Sequence, residues 1–247
     1  MRATERKTLI MNYLQEHGYA DCSVLAEMFQ VSTMTIRRDL AKLEEEGLIA
    51  VEYGGASLKG GVRYEHTMLM KQNEYQDEKM RIARHCLSYI EDGDTIFLDA
   101  GTTVYELAKL LTERKNITVM THSLLVANAF AESEVQVIMC PGHYRAKSMA
   151  YMGSLTNSFL SSFNVDKLFL AVEGIDENGI SVPHIEDGIT KKTLMEHAKW
   201  ICCMADHSKL GLKFHYIISD IEKIDILVTT SKENIEYLNE KITVINV

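Results

Sequence analysis

Apolar residues follow two different patterns along this chain of 247 residues, and the change falls near residue 77. In the first 57 residues they recur every three to four positions, the period of amphipathic helices packed on a small core. Farther on, short apolar runs alternate with segments of helical period, which favours an α/β domain built on a mostly parallel sheet. The predicted strands are 95–100, 117–120, 135–139, 167–172, 201–205, 226–228 and 242–247.

Three short helices and a hairpin are predicted for the first part. The helices cover residues 4–17, begin again near residue 23, and run over 33–46, and a small β-wing follows at 48–55. Gly18 and Gly47 close the first and third helices, since glycine readily takes the left-handed conformation found there. A tight turn separates the last two helices. We therefore predict a small, mainly α winged helix-turn-helix domain in preference to a generic helical bundle.

The domain organisation follows from these patterns. The winged helix-turn-helix domain is assigned to residues 1–57 and the α/β domain to 77–247. Residues 58–76 carry mixed charges, two adjacent glycines and no clear period, and we interpret them as a linker.

The helix at 33–46 carries chemistry suited to the major groove of DNA. Ile36, Leu40 and Leu43 recur at i, i+4 and i+7 and form its buried stripe. Polar residues away from that stripe can contact phosphates, base edges or thymine methyl groups. An Arg-Arg pair is ordinary on any surface helix, so its position after the turn is what favours DNA binding. The predicted DNA-binding residues are Ser32, which also stands at the N-cap, Thr33, Thr35, Arg37, Arg38 and Lys42.

The charge of the chain limits how it can bind nucleic acid. The net charge is −9, and residues 1–57 hold six basic residues against nine acidic ones. Contact with double-stranded DNA must therefore be local and sensitive to salt, and dimerisation would strengthen it.

In open α/β sheets, ligands bind beyond the carboxyl ends of the strands, and several predicted strands end in polar residues. The first leads through Gly-Thr-Thr into a helix, where hydroxyls beside free N–H groups can cradle a phosphate, although this string is also an ordinary helix cap. Lysine can add a point charge, and carboxylates can accept hydrogen bonds from hydroxyls. The set suits a phosphorylated polyol as ligand, and the predicted binding residues are Asp99, Gly101, Thr102, Thr103, Thr121, His122, Ser123, Asp176, Asp206 and Lys209.

Strings in both halves resemble the DeoR family of bacterial transcriptional regulators. The first half has Leu25-Ala26, Val31-Ser32, Thr35-Ile36-Arg37-Arg38-Asp39-Leu40 and Gly54-Gly55-Ala56, and the central string is highly specific to the family. The second half has Leu98-Asp99-Ala100-Gly101-Thr102-Thr103, Gly174-Ile175-Asp176 and Asp206-x-Ser208-Lys209. The resemblance implies an oligomeric regulator, more often a repressor, of a carbohydrate-metabolism operon. It also implies a sensor domain similar in fold to ribose-5-phosphate isomerase and a phosphorylated effector.

The sequence departs from the family's pattern at four positions. Ala50 and Tyr53 replace a basic residue and a histidine in the wing, which removes two potential phosphate contacts. His122 stands where the family usually has asparagine, and Pro141 where it commonly has glycine; near the pocket, either would alter which ligand fits.

Asp39 is expected to pair with a neighbouring arginine and orient it.

Two rival functions stay open at this point. One is a sugar-phosphate isomerase with an accessory DNA-binding domain, because Glu173 to Glu177 is similar to a string in that enzyme. An isomerisation needs a positioned base, and Glu186 is the nearby candidate, so we expect no catalytic residue. The other is a DNA-binding activator whose effector pocket has decayed.

Other kinds of chemistry are not indicated. The histidines and five cysteines form no metal-binding spacing and no C-x-x-C pair, so no metal, no cofactor and reduced thiols are expected. No apolar run reaches the length of a membrane span, and no signal peptide is recognisable, so the expected location is the cytoplasm.

Overall fold

A computed structural model describes residues 2–58, 68–231, 235, 238 and 240–247 of the chain. It divides into two compact units, Met1–Glu65 and His66–Val247. The two are described separately below.

The first unit is a three-helix domain with a small antiparallel sheet of strand order β1-β3-β2. Glycine C-caps α1, and the carboxylate of Asp21 caps α2 by accepting the N–H groups of Ser23 and Val24. Buried residues from all three helices, among them Leu14, Leu25 and Leu40, form one core. The elements are α1 Ala3–His17, β1 Tyr19–Asp21, α2 Cys22–Phe29, α3 Thr33–Glu45, β2 Ile49–Glu52 and β3 Gly55–Leu58. This confirms the predicted winged helix-turn-helix.

The second unit is built on a seven-stranded sheet in which each pair of neighbouring strands is parallel. Its order is β15-β14-β12-β9-β4-β5-β6, and its strands are β4 Thr95–Leu98, β5 Thr118–Thr121, β6 Gln136–Met139, β9 Val165–Ala171, β12 Ala198–Ala205, β14 Ile226–Thr229 and β15 Thr243–Asn246. All seven coincide with the apolar runs in the sequence, which confirms the α/β class.

Helices cover both faces of this sheet, which explains the continuous apolar runs. Leu98 and Cys202 point into the core on one face, whereas Phe97 and Cys203 point into the core on the other. The helices are α4 Met68–Asn73, α5 Gln76–Cys86, α6 Thr102–Leu110, α7 Leu124–Ala129, α8 Ser154–Leu160 and α9 Ile185–Glu196. The five cysteines are all buried free thiols.

Short antiparallel strands lie outside the main sheet, and the sequence did not predict them. They are β7 His143–Arg145, β8 Ala150–Met152, β10 Gly174–Asp176, β11 Gly179–Val182 and β13 Tyr216–Ser219. A second difference concerns the segment interpreted as a linker. Its residues 68–73 form α4 and belong to the second unit, whereas 59–67 lie outside the described residues.

Candidate DNA-binding helix and effector cavity

The helix α3 is held by its cap and by its buried face. The hydroxyl of Ser32 accepts the backbone N–H of Thr35 at 3.3 Å. Ile36, Leu40 and Leu43 are buried, as their spacing predicts. The cap fixes where the helix begins, and the buried stripe fixes which face it presents to solvent.

Asp39 lies on the buried side of α3 and has a partner that the sequence did not indicate. Its Oδ2 accepts a hydrogen bond of 2.5 Å from Nε of Arg6 in α1, and the two side chains are 6% and 7% exposed. The expected partner was a neighbouring arginine, but Arg37 and Arg38 both face solvent. The Arg6–Asp39 ion pair therefore joins α1 to α3 instead of orienting a DNA-contacting side chain.

The solvent face of α3 carries the predicted DNA-binding residues. Thr35 is half-buried, and the others are exposed: Ser32, Thr33, Arg37, Arg38 and Lys42. Met34 shares this face and is 59% exposed. Met34 was not among the predicted DNA-binding residues because apolar residues were assigned to the core, although its position opposite the Ile36 stripe was a usable signal.

A groove of about 440 Å³ separates α3 from the wing, and Arg37, Tyr53 and Gly54 are among its lining residues. The carboxylate of Glu44 accepts the backbone N–H of Val51 at 2.9 Å and holds the wing against α3. Residues 48–58 contain no Lys, Arg or His. Cationic contacts from the helix-turn-helix and wing to phosphates therefore fall to the helices.

A small cavity of about 40 Å³ lies beyond the carboxyl ends of β4, β9 and β12, beside the first turn of α6. Four of the predicted effector-binding residues line it: Gly101, Thr102, Thr103 and Lys209. The N-cap of α6 is Gly101, so no N-cap side chain occupies the free N–H groups of this helix. A Cβ at Gly101 would come 2.3 Å from that of Ala171, so this glycine is required by packing against β9.

Asp99 lies behind the cavity and is fully buried. Its Oδ2 accepts Nζ of Lys191 at 2.5 Å and the N–H of Ala171 at 2.9 Å. Its Oδ1 accepts the N–H of Ala100 at 2.8 Å and faces Nε2 of His122 at 3.0 Å. Burial alone would raise the pKa of Asp99, but the cation of Lys191 and the bonded His122 lower it to about 2. This carboxylate thus holds Lys191 at the cavity wall, and its oxygens are already occupied.

A second charged group closes the other side of the cavity. Glu173, just after β9, pairs through Oε1 with Nζ of Lys71 from α4, and its Oε2 lies 3.9 Å from Nζ of Lys209. Burial would raise the pKa of Glu173, but the two lysines lower it to about 2. The cavity therefore has three lysines, Lys71, Lys191 and Lys209, around one ionised glutamate.

The remaining predicted effector residues lie outside the lining of this cavity. Thr121 donates from Oγ1 to the carbonyl of Leu98 at 2.7 Å, and Ser123 caps α7. Asp206 accepts the N–H of Ser208 at 3.0 Å through Oδ1, and its Oδ2 is buried without a hydrogen-bond partner among the described atoms. Asp176 accepts the N–H of Asn178 at 2.9 Å. His122 packs behind the cavity through its bond to Asp99.

Three charged cavity residues were absent from the predicted set. Glu173 directly follows a strand, so its position was a usable signal. Lys71 fell in the segment interpreted as a linker, and Lys191 lies in the middle of α9, where nothing in the local sequence distinguishes it from Lys192. Neither lysine can be placed at the cavity without the tertiary structure.

The candidate isomerase base and two other kinds of site can be checked against the structure. Glu186 lies in the first turn of α9, is half-exposed, and is 3.1 Å from Nε2 of His143; it is not among the residues lining the cavity. Within the described part of the chain, no group of three or more His, Cys, Asp or Glu residues is arranged to hold a metal ion. None of its helices is long and apolar enough to span a membrane.

Comparison with known proteins agrees with both halves of this description. Residues 6–60 match the family described as DeoR-like helix-turn-helix domain, and residues 74–231 match DeoR C terminal sensor domain. The repressor GlcR of Bacillus subtilis is 35% identical over 95% of this chain and 91% of its own length. The glycerol-3-phosphate regulon repressor of Escherichia coli is 32% identical over 93% of this chain and 91% of its own length.

Among solved structures, ribose 5-phosphate isomerase A of Methanocaldococcus jannaschii is 18% identical, with a TM-score of 0.41 over 55% of this chain and 54% of that chain. So partial a similarity carries no inference about the chemistry of the cavity. The assignment stands on the two matched domains and on relatives that share nearly the full length. The chain belongs to the DeoR family of transcriptional regulators and binds DNA through its helix-turn-helix domain.

Proposed function

We propose that this protein is a repressor of an operon for carbohydrate metabolism and that a phosphorylated sugar or polyol controls it. The DNA-binding domain is assigned to residues 1–57 and the effector-binding domain to 77–247, to which α4 is added because Met68 and Lys71 line the cavity. The element that enters the major groove of the operator is α3. The observation that carries the proposal is the cavity that is lined by three lysines and by the first residues of α6.

That cavity has the features of a phosphate site. The first N–H groups of a helix point outward with partial positive charge, and a phosphate placed there accepts several of them at once. The hydroxyls of Thr102 and Thr103 stand beside these groups, and Lys209 supplies a full charge. A phosphorylated ligand would thus meet donors on several sides.

The names of relatives support the class of ligand. One relative is named the glycerol-3-phosphate regulon repressor, and another, from Escherichia coli O157:H7, the putative aga operon transcriptional repressor. The first name contains a polyol phosphate, and we carry that class of ligand over to this chain.

Control is proposed to act by linkage. In a homo-oligomer, the spacing between two α3 helices must match the spacing of the operator half-sites. An effector that binds one arrangement of the subunits more tightly shifts the population toward it, and operator affinity changes by that differential affinity.

Catalysis by the same cavity is not favoured. An isomerase needs a positioned base that accepts a proton near neutral pH, and the candidate from the sequence was a glutamate. Glu173 is the carboxylate at the cavity wall, and its pKa of about 2 makes it a weak base. Incubation with ribose 5-phosphate should therefore leave the compound unchanged, and turnover that depends on Glu173 would restore the isomerase hypothesis.

The experiment that tests the proposal measures binding and control together. Phosphorylated sugars and polyols are screened by thermal shift against the intact chain; a ligand at a hundred times its Kd stabilises the folded state by ~2.7 kcal/mol. Lys209→Met should lose the shift, while Lys192→Met, an exposed neighbour of a cavity lysine, should keep it.

An operator fragment obtained by in vitro selection is then titrated with and without the identified compound. A change in operator affinity supports effector control. A compound that binds at the cavity without changing operator affinity at any salt concentration would contradict it.

A further inference from the structure

We propose that Lys71 is an effector-binding residue and that Glu173 makes the cavity selective for phosphates that also carry hydroxyl groups. This inference rests on the proposed effector cavity and specifies the ligand class within it. Lys71 lies outside both of the segments that match the family's domains, which are residues 6–60 and 74–231. Its role is therefore read from the geometry of the cavity alone.

Lys71 is held at the cavity by the elements around it. It lies on α4, whose first residue, Met68, is buried among Ala100, Leu125, Ala150 and Met152. The backbone N–H of Met68 donates to the carbonyl of Lys147 at 2.9 Å. The ammonium group of Lys79, from α5, donates to the carbonyl of Lys71 itself. With its backbone fixed in this way, Lys71 can reach the cavity without rearrangement of the fold.

The three lysines of the cavity have different carboxylate partners. Nζ of Lys191 pairs with Oδ2 of Asp99 at 2.5 Å, and Asp99 lies behind the cavity. Lys71 and Lys209 share the single carboxylate of Glu173. Of the charged residues that line the cavity, three are lysines and one is Glu173, whereas Asp99 and Asp187 pair with Lys191, and Asp206 and Glu74 act on Lys209 from outside the lining. The ammonium groups and the free N–H groups of α6 are therefore the donors that the lining offers to an anionic group of a ligand.

A phosphate that draws Lys71 and Lys209 toward itself weakens their pairing with Glu173. The side chain of Glu173 is 25% exposed, and a partly buried carboxylate that loses hydrogen-bond donors is destabilised, so binding of a bare anion is opposed. Hydroxyl groups of the same ligand can donate to Glu173 and remove that penalty. The cavity thus recognises a phosphate joined to a polyol, and it discriminates against inorganic phosphate.

Lys71 lies near the start of the second unit. It belongs to α4, the first described element after Leu58 at the end of the wing. If Lys71 exchanges its bond to Glu173 for a bond to a ligand phosphate, one ligand contact comes from α4.

The test compares four variants by isothermal titration with inorganic phosphate, glycerol 3-phosphate and ribose 5-phosphate. Lys71→Met retains most of the side-chain volume without the charge, Lys71→Arg retains the charge, Glu173→Gln releases the two lysines, and Lys192→Met is the matched control. Thermal melting without ligand identifies any variant that has lost its fold.

For the sugar or polyol phosphate that binds the unmodified chain, Lys71→Met should weaken binding roughly 10- to 100-fold, the loss expected for a charge-assisted hydrogen bond. Lys71→Arg should retain most of the affinity, and Lys192→Met should retain all of it. Glu173→Gln should bind inorganic phosphate more tightly and should lose the preference for the hydroxylated compounds. A merely structural role of Glu173 would lower affinity for all three probes alike.

Each contrary result has a distinct meaning. If Lys71→Met binds as well as Lys192→Met does, the role proposed for Lys71 is wrong while the cavity stands. If Glu173→Gln keeps the discrimination, the role of Glu173 is wrong. If neither glycerol 3-phosphate nor ribose 5-phosphate binds the unmodified chain, the selectivity for hydroxylated phosphates is overturned, and the effector assignment then depends on the wider screen.

Discussion

Each of the two units contains a carboxylate buried against a cation, and the two ion pairs are used differently. In the first unit, Arg6 and Asp39 join α1 to α3 on the side away from the exposed DNA-binding face. In the second, Asp99 holds Lys191, and Lys191 is itself part of the cavity wall. In the first unit, the residues that stabilise the fold through this ion pair differ from the residues that face DNA. In the second unit, Lys191 belongs to both groups. A substitution at Lys191 therefore changes stability and ligand binding together.

Removal of Asp39 should have the largest effect on stability. Asp39→Ala leaves the guanidinium of Arg6 buried without its partner, and breaking such a pair costs about 3–5 kcal/mol. Urea unfolding followed by circular dichroism reports both units, whereas fluorescence of Trp200, the only tryptophan, reports the second. The variant should therefore show an early transition in circular dichroism while the transition of Trp200 stays unchanged.

The double variant Arg6→Met, Asp39→Leu is the control. Replacement of a buried ion pair by apolar side chains is often neutral, so most of the lost stability should return, together with DNA binding. The matching pair in the second unit, Lys191→Met with Asp99→Asn, keeps a side-chain acceptor for the N–H groups of Ala171 and Ala100 and should recover part of the stability without recovering ligand affinity. If stability and ligand affinity both recovered, Lys191 would have no part in ligand binding, and the two units would not differ in the way described.

The second prediction concerns acid. The folded-state pKa of Asp99 is about 2, against an ordinary value of 3.8, so its stabilising effect is complete above about pH 5 and is lost as the pH falls toward 2. The whole loss is about 2 kcal/mol, since one pKa unit corresponds to about 1.4 kcal/mol, and about 1 kcal/mol of it falls between pH 6 and pH 3. Urea unfolding followed by Trp200 at these two pH values measures that part. Asp99→Asn should show a smaller difference between these two pH values, and an unchanged difference would contradict the assigned pKa.

The comparison also explains which features could be predicted from sequence. The DNA-binding face depends on residues that are consecutive on one helix, so a period of 3.6 residues is enough to separate Arg38 from Ile36. The strands of the main sheet are buried on both faces and appear as apolar runs. Such local signals predicted the fold class and most of the α3 face.

The cavity depends on residues that are distant in sequence. Lys71 and Glu173 are 102 positions apart, and Lys191 and Asp99 are 92 apart. Residues that followed strands, such as Thr102 and Lys209, were found because the carboxyl ends of parallel strands converge. Lysines on helices have no such rule, and the edge strands are too short and too mixed in polarity to show a period. The pairing of Asp39 with Arg6 was missed for the same reason.

The third prediction tests whether the α3 face reads the operator. Arg38→Ala should weaken operator binding by about 1–3 kcal/mol. If Arg38 contacts a base, specificity relaxes at one position of the site; if it contacts phosphate, all sequences weaken alike and the dependence on salt concentration becomes shallower. Arg84→Ala, at an exposed position of α5, is the matched control. Fluorescence anisotropy at three salt concentrations measures both, and equal affinities for the two variants would remove Arg38 from the interface.

The smallest effects are expected at two serine N-caps, of which Ser32 in the first unit is exposed and Ser123 in the second unit is buried. Ser32→Ala and Ser123→Ala each remove a hydroxyl that accepts a helix N–H, which costs about 1 kcal/mol, with the larger loss at the buried Ser123, where water cannot replace it. Ser32→Gly costs only a few tenths of a kcal/mol, because glycine is a tolerated N-cap. Ser32→Gly therefore removes the hydroxyl while it leaves α3 nearly intact. If the operator affinity of this variant falls below that of the unmodified chain while its unfolding is unchanged, Ser32 contacts DNA directly; if affinity follows stability through the glycine and alanine variants, Ser32 acts only as the cap.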